Sequence, residues 1–272
     1  MPPERGLSIK SRYARRPFSV VKTIRLPETG SLIVASGDFM SETTIGLIFS
    51  MLLAATVAAE QRVIDLTRVI EPTGPDAERK FVVRIHDALE EIPGKVRPEG
   101  EWYVMSDVEL MSHVGTHIEA PFHCLKNGSD LARIPIEQLV GDAVILNLSS
   151  ARAEGGVTLK QVQEAARAAG GIRKGDIVFC RMGPTSYFST AALKWLVEQG
   201  MKLMGVDSSG VELADDTTHA NINHLVLFRA GIPLIENLTN LDRISRPRVK
   251  AYALPIPARG LDAFPLRVVA VE

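Results

Sequence analysis

Short apolar runs alternate with amphipathic segments through the second half of the chain. Apolar runs of strand length predict buried strands at 143–148, 177–180, 202–206 and 232–235. Helical spacing of apolar residues, with capping residues at the ends, predicts helices at 159–169, 189–199 and 221–230. This alternation of strands and helices is typical of an α/β domain with much parallel strand pairing.

The first half of the chain has fewer regular patterns. Residues Val63 to Val69 predict one strand, which the turn residues Pro72, Gly74 and Pro75 end. A polar stretch then continues to Gly100, and no strand or helix is predicted within it.

The chain divides into an N-terminal extension, residues 1–60, and a single predicted domain, residues 61–272, because no repeat or low-complexity linker interrupts the latter. The first 25 residues carry seven Lys or Arg side chains against one acidic residue, Glu4. A charge run of this kind is typical of a solvated, poorly ordered tail, and a targeting segment is the alternative.

The uncharged stretch Ile45–Ala59 is shorter than the roughly 20 apolar residues that a bilayer crossing needs, so no stable membrane span is predicted. Two interpretations stay open. The stretch forms a packing helix that begins near Ser41, or it is the apolar part of an export signal cleaved before Glu60. The first interpretation is preferred and favours a cytoplasmic protein, whereas the second implies export.

Charge and cysteine content exclude several classes of function. The 31 basic and 32 acidic side chains give a net charge of -1, which supplies no field for a nucleic-acid backbone. Nucleic acid is therefore not expected as a partner. The two cysteines, Cys124 and Cys180, form no C-x-x-C pair. A thiol hydrolase based on Cys124 is disfavoured because adjacent side chains, here His123 and Cys124, point oppositely in an extended chain.

Histidines and a carboxylate are densest between residues 113 and 123. His113, His117, Glu119 and His123 share one parity, so a regular strand would project all four side chains from one face. Residues four apart in a strand are about 13 Å from each other, whereas metal–nitrogen bonds are about 2 Å long. A shared ion therefore requires the backbone to fold between His113 and His117, and Gly115 permits it. The segment is predicted to be a bent loop or bulged strand.

A second cluster of candidate ligands lies nearer the C-terminus. It comprises Asp215, Asp216, His219, His224 and Glu236. A predicted helix carries His224, and the strand that follows it ends at Glu236, so the chain returns upon itself. Imidazole and carboxylate groups suit zinc and also manganese, and carboxylates can bridge two ions about 3.5 to 4 Å apart.

Taken together, these residues resemble the cyclase family of metal-dependent hydrolases, which includes bacterial kynurenine formamidase and isatin hydrolase. The resemblance covers about 63–271 and rests on several ordered segments. They are Val63-Ile64-Asp65-Leu66-Thr67, His113-x-Gly115-Thr116-His117-x-Glu119-Ala120-Pro121-x-His123, Gly205-Val206-Asp207, and His224 followed by Gly231-Ile232-Pro233, Glu236-Asn237-Leu238 and Asn240-Leu241. The implied fold is a single α/β domain of this family, of the swivelling β/β/α-like type.

The resemblance implies a metal ligand set drawn from both clusters. His113 and His117 would hold one ion, and His224 would hold a second. Glu119 and Glu236 would bridge the two. The implied cofactor is Zn²⁺, as one or two ions, with Mn²⁺ as the alternative.

The implied activity is hydrolysis of an amide-type carbon–nitrogen bond in a small molecule, as in arylformamidases that act on N-formylkynurenine. A metal lowers the pKa of bound water toward about 7, and the resulting hydroxide attacks a carbonyl. His123 would be the catalytic residue that transfers the proton, as general base and then acid. The resemblance also implies a homodimer with pockets near the subunit contact.

Two departures from the family pattern bear on the metal and the substrate. The family has Asp where this chain has Glu119, which is one methylene longer. Kynurenine formamidases commonly carry Trp-Pro-Gly after the first strand, where this chain lacks the tryptophan. Trp102 or Tyr103 could substitute, although a packing role is the preferred interpretation for an aromatic residue just before a strand. The alternatives are a hydrolase of a cyclic amide or lactone, like isatin hydrolase, and a non-catalytic metal-binding protein of the same fold.

Overall fold

Among the residues that the computed structural model describes, nine strands form one mixed sheet and two form a separate hairpin. The structure describes residues 61–150, 156–182, 187–212 and 222–272, which belong to one compact unit, Ala59–Glu272. The basic tail and Ile45–Ala59 lie outside the described residues, as do Asp215, Asp216 and His219. The choice between a packing helix and an export signal therefore stays a prediction.

The strands are short, and most of them are buried. They are β1 Val63–Asp65, β2 Phe81–Asp87, β3 Val104–Leu110, β4 His117–Glu119, β5 Val140–Asn147, β6 Ile177–Arg181, β7 Leu203–Val206, β8 Leu234–Glu236, β9 Arg248–Ala253, β10 Ala263–Pro265 and β11 Val268–Val271. The α-helices are α1 Ile136–Leu139, α2 Leu159–Ala168, α3 Thr190–Glu198 and α4 Ile222–Arg229. Single 3₁₀ turns lie at Ala88–Glu91, Pro121–His123, Leu131–Arg133 and Leu241–Arg243.

The large sheet has the strand order β1-β11-β9-β5-β6-β7-β8-β4-β10. Strands β5 to β8 pair in parallel, and the pairings on both sides of this group are antiparallel. Crossover helices join the parallel strands, as parallel pairing requires. The prediction of a mixed α/β domain is confirmed, but parallel pairing is confined to the four central strands.

The side chains of β6 show how the core is built on both faces of the sheet. Val178 and Cys180 pack in a cluster with side chains of α2, α3 and α4, whereas Ile177 and Phe179 enter a second cluster on the opposite face. The second cluster also contains residues of β1, β4, β9 and β11, so the sheet curls around it. Burial on both faces explains why the sequence of β6 is a continuous apolar run.

The predicted helix boundaries agree with the structure to within about one residue, because capping chemistry sets them. Thr158 forms a capping box with Gln161 at the start of α2. Ser189 accepts a hydrogen bond from the backbone N–H of Ala192 at the start of α3, as the sequence predicts. Gly200, with φ of +79°, follows the end of α3 in the left-handed conformation that favours glycine.

One prediction for the first half of the chain is wrong, and one strand was not predicted. Strand β1 ends at Asp65 instead of Val69, because the Asp65 carboxylate accepts a hydrogen bond from the backbone N–H of Thr67 and turns the chain. The polar stretch contains β2, which pairs with β3 in a regular antiparallel hairpin. The polar residues Arg84, His86 and Asp87 interrupt the apolar pattern of this strand.

No helix in the described part of the chain is long and apolar enough to span a membrane.

Candidate metal centre

A bend in the backbone before β4 brings the first two histidines of the cluster together. His113 Nδ1 lies 3.2 Å from His117 Nε2 although four residues separate them in sequence. Gly115 forms the bend with φ of +63°, and a Cβ at this position would lie 2.7 Å from the Cγ1 of Ile70. Glycine is therefore needed both for the conformation and for the space. The predicted bent loop is confirmed, and it leads directly into β4.

Strands β4 and β8 place two carboxylates beside these histidines. His117 and Glu236 are directly opposed across the antiparallel pair, and Glu119 lies two residues further on the same face of β4. Both carboxylate side chains are almost fully buried. Helix α4 carries His224, whose Nε2 lies 3.1 Å from Glu119 Oε2.

The two oxygens of Glu119 face different histidines. Glu119 Oε1 lies 2.8 Å from His113 Nδ1 and 3.3 Å from His117 Nε2, whereas Oε2 lies 3.1 Å from His224 Nε2. The oxygens of Glu236 divide in the same way, at 3.6 Å from His117 Nε2 and 3.5 Å from His224 Nε2. This arrangement offers two adjacent groups of donor atoms that share their carboxylates.

Each of these histidines uses its other ring nitrogen for a hydrogen bond directed away from the centre. His113 Nε2 lies 2.8 Å from Asp262 Oδ2, His117 Nδ1 lies 2.9 Å from the carbonyl oxygen of Gly115, and His224 Nδ1 lies 2.7 Å from Glu212 Oε1. Because these three partners are acceptors, the outward nitrogens donate to them. The inward nitrogens face carboxylate oxygens, and each could offer its lone pair to a cation bound between them. Metal-binding histidines in proteins are oriented in this way.

The charges and hydrogen bonds of the centre also fit a cation. Glu119 is 2% exposed, and its Oε2 has no hydrogen-bond donor among the described residues, although His224 Nε2 lies 3.1 Å away. A buried carboxylate oxygen without a donor is a ready metal ligand. The donor types, imidazole nitrogen and carboxylate oxygen, suit zinc and manganese alike.

The pKa values show how strongly the centre attracts positive charge. Burial acts to raise the pKa of Glu119, but the close imidazoles of His113, His117 and His224 hold it well below its usual range. Burial acts to lower the pKa of His224, yet Glu119, Glu212 and Glu236 raise it to about 12. The pKa of Glu236 is raised by burial and by the charge of Glu119. Protons must balance the carboxylates when no ion does, and a divalent cation would replace them.

The centre lies in the wall of a cavity of about 550 Å³, large enough for a single-ring organic molecule. The described residues that line it are Glu78, Arg79, Met111, His113, Glu119, His123, Tyr187, Ser208, Ser209, Gly210, Glu212, His224 and Glu236. Trp102 and Tyr103 do not line it and are 76% and 54% exposed, so the structure places neither of them in the wall of this cavity. Tyr187 is the aromatic side chain found there.

His123 lies beside the candidate ligands in the 3₁₀ turn that follows β4. Its ring centroid is 4.5 Å from that of His113 and 5.8 Å from that of His224. Its Nδ1 lies 3.1 Å from Asp262 Oδ2, and no described residue forms a hydrogen bond with its Nε2. The predicted residues His113, His117, Glu119, His123, His224 and Glu236 are therefore all brought together.

Sequence reasoning missed two carboxylates of this site. Asp262 lies just before β10, and Glu212 follows the loop after β7. Burial acts to raise the pKa of Asp262, but hydrogen bonds from His113 and His123 outweigh burial and lower the pKa on balance. The carboxylate is therefore ionised. No histidine or second carboxylate lies near Asp262 in the sequence, so no local motif signals it. Glu212 lies three residues before the candidate cluster that begins at Asp215, and that proximity was the one available signal.

Comparison with known proteins identifies the family. The sequence profile of the family described as Putative cyclase matches residues 64–213, more than half of the chain. Kynurenine formamidase of Bacillus mycoides (strain KBAB4) is 32% identical over 164 residues, which cover 58% of this chain and 75% of that protein. Kynurenine formamidase of Bacillus thuringiensis subsp. konkukian is 29% identical over the same length and shares of each chain. The chain belongs to the putative cyclase family.

Solved structures of related proteins confirm the fold. Isatin hydrolase A from Labrenzia aggregata, bound to benzyl benzoate, superimposes with a TM-score of 0.65 at 22% identity, covering 82% of this chain and 98% of that one. A potential metal-dependent hydrolase with cyclase activity superimposes with a TM-score of 0.59 at 24% identity, covering 78% and 98%. The α/β fold predicted from the resemblance is thus that of the cyclase family, and the comparisons support a metal-dependent hydrolase.

Proposed function

We propose that this protein hydrolyses an amide-type carbon–nitrogen bond of a small molecule, with an aryl formamide as the first candidate substrate. The observation that carries the proposal is the convergence of His113 Nδ1, His117 Nε2 and His224 Nε2 on the two oxygens of one buried carboxylate, Glu119. This convergence lies in the wall of a cavity that also contains His123. The kynurenine formamidases among the relatives suggest the substrate class.

The proposed metal ligands divide into two groups that share Glu119. His113 and His117 would hold one ion through the nitrogens that face Glu119 Oε1, and His224 would hold a second through Nε2, which faces Oε2. Glu236 would contribute one oxygen to each. Zinc or manganese in such a site supplies Lewis acidity, which polarises a carbonyl group and lowers the pKa of water.

The proposed proton-transfer group is His123. Because the carboxylate of Asp262 accepts the hydrogen bond at Nδ1, the neutral ring carries its proton there and keeps a lone pair on Nε2. An imidazole in this tautomer can take a proton from the nucleophile and pass it to the leaving amine.

A second candidate function is the hydrolysis of a cyclic amide or lactone. The structural likeness to isatin hydrolase A favours this candidate, since that protein has the same fold over 82% of this chain. Neither candidate requires a different ligand set. A non-catalytic metal-binding role is the third candidate and predicts bound metal without turnover.

A single substrate screen on the metal-loaded protein separates these candidates. Formanilide, isatin and an aryl lactone are offered to zinc-loaded and manganese-loaded protein, with His123→Ala as the matched control. The proposal predicts turnover of at least one amide by the wild type. His123→Ala should retain its metal and lose about 10² to 10⁴ in kcat, the usual contribution of a positioned acid or base. Bound metal without turnover of any compound would contradict the hydrolase.

We also propose that the protein is a homodimer and that the hairpin of β2 and β3 contributes to the subunit contact. One face of the hairpin is mostly apolar. Ser106 and Asp87 are its polar residues, and its apolar members are Phe81, Val83, Ile85, Val104, Val108 and Leu110. Ile85 is 63% and Val108 56% exposed, so no described residue covers the middle of this face. The opposite face carries ion pairs, including those of Arg84 and Lys80 with Glu109.

A second copy of the chain is the occupant proposed for this apolar face. An isolated two-stranded hairpin is marginally stable in water and needs a packing partner. The residues that flank the hairpin, Arg79 and Met111, line the cavity, so a copy bound there would lie near the candidate centre. Sedimentation should show a dimer at micromolar concentration, and Val108→Lys should shift it toward monomer. The control replacement Arg84→Lys, on the opposite face, should leave the dimer unchanged. A wild-type protein that sediments as a monomer would contradict the proposal.

A further inference from the structure

Asp262 is fixed beside the candidate centre by backbone pairing. It immediately precedes β10, whose first residue, Ala263, is the antiparallel partner of Glu119 in β4. The backbone N–H of Ala120 donates a hydrogen bond of 2.7 Å to the carbonyl oxygen of Asp262. The position of this carboxylate is therefore set by the same strand pair that positions Glu119.

One oxygen of Asp262 contacts two histidines that are assigned different roles. Asp262 Oδ2 lies 2.8 Å from His113 Nε2 and 3.1 Å from His123 Nδ1. An ionised carboxylate can only accept hydrogen bonds, so both ring nitrogens donate to it. The contact therefore selects the tautomer of both rings, and it holds the rings 4.5 Å apart at an interplanar angle of 50°.

We infer that Asp262 is a positioning residue that fixes His123 with its proton on Nδ1 and its lone pair on Nε2, while it orients the metal ligand His113. The inference rests on the proposed function, because His123 transfers a proton only in that reaction. It resembles the general arrangement in which a catalytic base is oriented by a third group. Asp262 lies outside the part of the chain that matches the family profile, residues 64–213.

Glu212 provides a matched comparison for Asp262. It accepts hydrogen bonds from the Nδ1 and the backbone N–H of His224, at 2.7 Å each, and no contact joins it to His123. Each carboxylate therefore orients a different candidate ligand, His113 for Asp262 and His224 for Glu212. Of the two, Asp262 alone also contacts the proton-transfer residue. Loss of Glu212 should affect metal binding, whereas loss of Asp262 should affect metal binding and proton transfer.

The tautomer is measured directly by ¹⁵N NMR of the histidine rings in the zinc-loaded protein, with His123→Ala used to assign the signals. In the wild type we expect His123 to carry its proton on Nδ1. In Asp262→Ala we expect a mixture of the two tautomers, and in Glu212→Gln we expect the wild-type tautomer. This readout needs no substrate.

The kinetic effect is measured at saturating zinc, so that loss of metal is compensated. Asp262→Ala should lower kcat by about 10- to 100-fold with KM within about twofold, the range seen for residues that orient a reactive group. Glu212→Gln should need a higher zinc concentration for half-maximal activity, because its partner His224 is a proposed ligand. In the His123→Ala background, Asp262→Ala should cause no further loss in kcat beyond about twofold, because the group that it positions is gone.

Several results would overturn the inference. They are an unchanged His123 tautomer in Asp262→Ala, full recovery of kcat by zinc, or a loss in the His123→Ala background as large as in the wild type. If Asp262→Ala does not fold, Asp262→Asn replaces it. An amide can present either its oxygen or its NH₂ group to the ring, so it should not select one tautomer of His123. If the wild type hydrolyses nothing, the proposed function fails, and the NMR comparison still decides whether Asp262 sets the tautomer of His123.

Discussion

Strands β4 and β6 are buried to the same degree but carry opposite kinds of side chain. Ile177, Val178, Phe179 and Cys180 of β6 have no exposed surface, and the three residues of β4 are between 0% and 2% exposed. Burial of the apolar side chains in β6 stabilises the fold by about 25 cal/mol for each Å² of apolar surface that is removed from water. Burial of an imidazole and a carboxylate in β4 opposes folding unless charge and hydrogen bonds compensate.

This difference assigns separate roles to two regions of one sheet. The central strands provide stability, and β4 with β8 forms a charged centre that is compensated by protons or by metal. Substitutions in the two regions should therefore be detected by different measurements. Changes in β6 should appear in the free energy of unfolding, and changes in β4 should appear in metal content and turnover.

The largest effect is expected at His117. His117→Ala removes a proposed ligand that is fully buried, and it should remove at least one ion and most of the activity. Elemental analysis of the purified protein measures the metal. His86→Ala in the hairpin is the control, because His86 pairs with Asp107 away from the centre and should leave the metal content unchanged. Unchanged metal in His117→Ala would remove this residue from the ligand set.

A large effect of the other kind is expected at Phe179. This ring is fully buried beneath Gly205, and Phe179→Ala should lower the free energy of unfolding by about 3 to 5 kcal/mol, as large-to-small core replacements do. Urea denaturation measures the loss. The metal content per folded molecule should stay at the wild-type value, and a parallel loss of metal would show that the two regions are not separable.

A smaller effect is expected when metal is removed from the intact protein. An ion that binds only the folded state stabilises it by about 2.7 kcal/mol when its free concentration is 100 times its Kd. A chelator should therefore lower Tm, and zinc should restore it. The same decrease should be found in Phe179→Ala if the core strand and the centre contribute independently. An unchanged Tm in the presence of the chelator would mean that metal does not compensate the charge of the buried carboxylates.

The smallest effect is expected at Asp65, a partly exposed carboxylate at the end of β1. Burial raises its pKa, but hydrogen bonds from Arg267 and Thr67 lower it on balance. Because the pKa is lower in the folded state, its contribution to stability is complete above the unfolded pKa and is lost as pH falls through the folded pKa.

Asp65→Asn should therefore destabilise the protein by less than about 1 kcal/mol at neutral pH, and the difference from wild type should shrink in acid. Urea unfolding at pH 7 and below pH 3 measures both. Asp76→Asn, which changes an exposed aspartate, is the control. A difference that grows in acid would contradict the direction of the pKa shift.

The sequence predicted those strands, helix ends and turns whose signals lie within a few neighbouring residues. The apolar runs of β5 to β8 and the caps of α2 and α3 are found where they were predicted. The bend at Gly115 followed from the need for His113 and His117 to approach each other, and their ring nitrogens are 3.2 Å apart. These features lie within a few residues of the signals that predict them.

Features that depend on distant pairing could not be predicted in this way. Asp262 reaches His113 because β10 pairs with β4, across 149 residues of sequence. Glu212 reaches His224 from the loop that follows β7, across 12 residues of sequence. The hairpin was missed because its apolar face lacks a covering element within the described residues, so its strands carry more polar residues than core strands do.

The stoichiometry of metal in Glu119 variants tests the central claim most directly. If Glu119 bridges two ions, the wild type should bind two zinc ions per chain, and Glu119→Gln should lose at least one, because an amide cannot replace the charge of the carboxylate. Glu119→Asp keeps the carboxylate, shortens the side chain by one methylene, and should keep both ions with an altered kcat. Retention of both ions by Glu119→Gln, with loss of one in His123→Ala, would contradict the account and exchange the roles of these two residues.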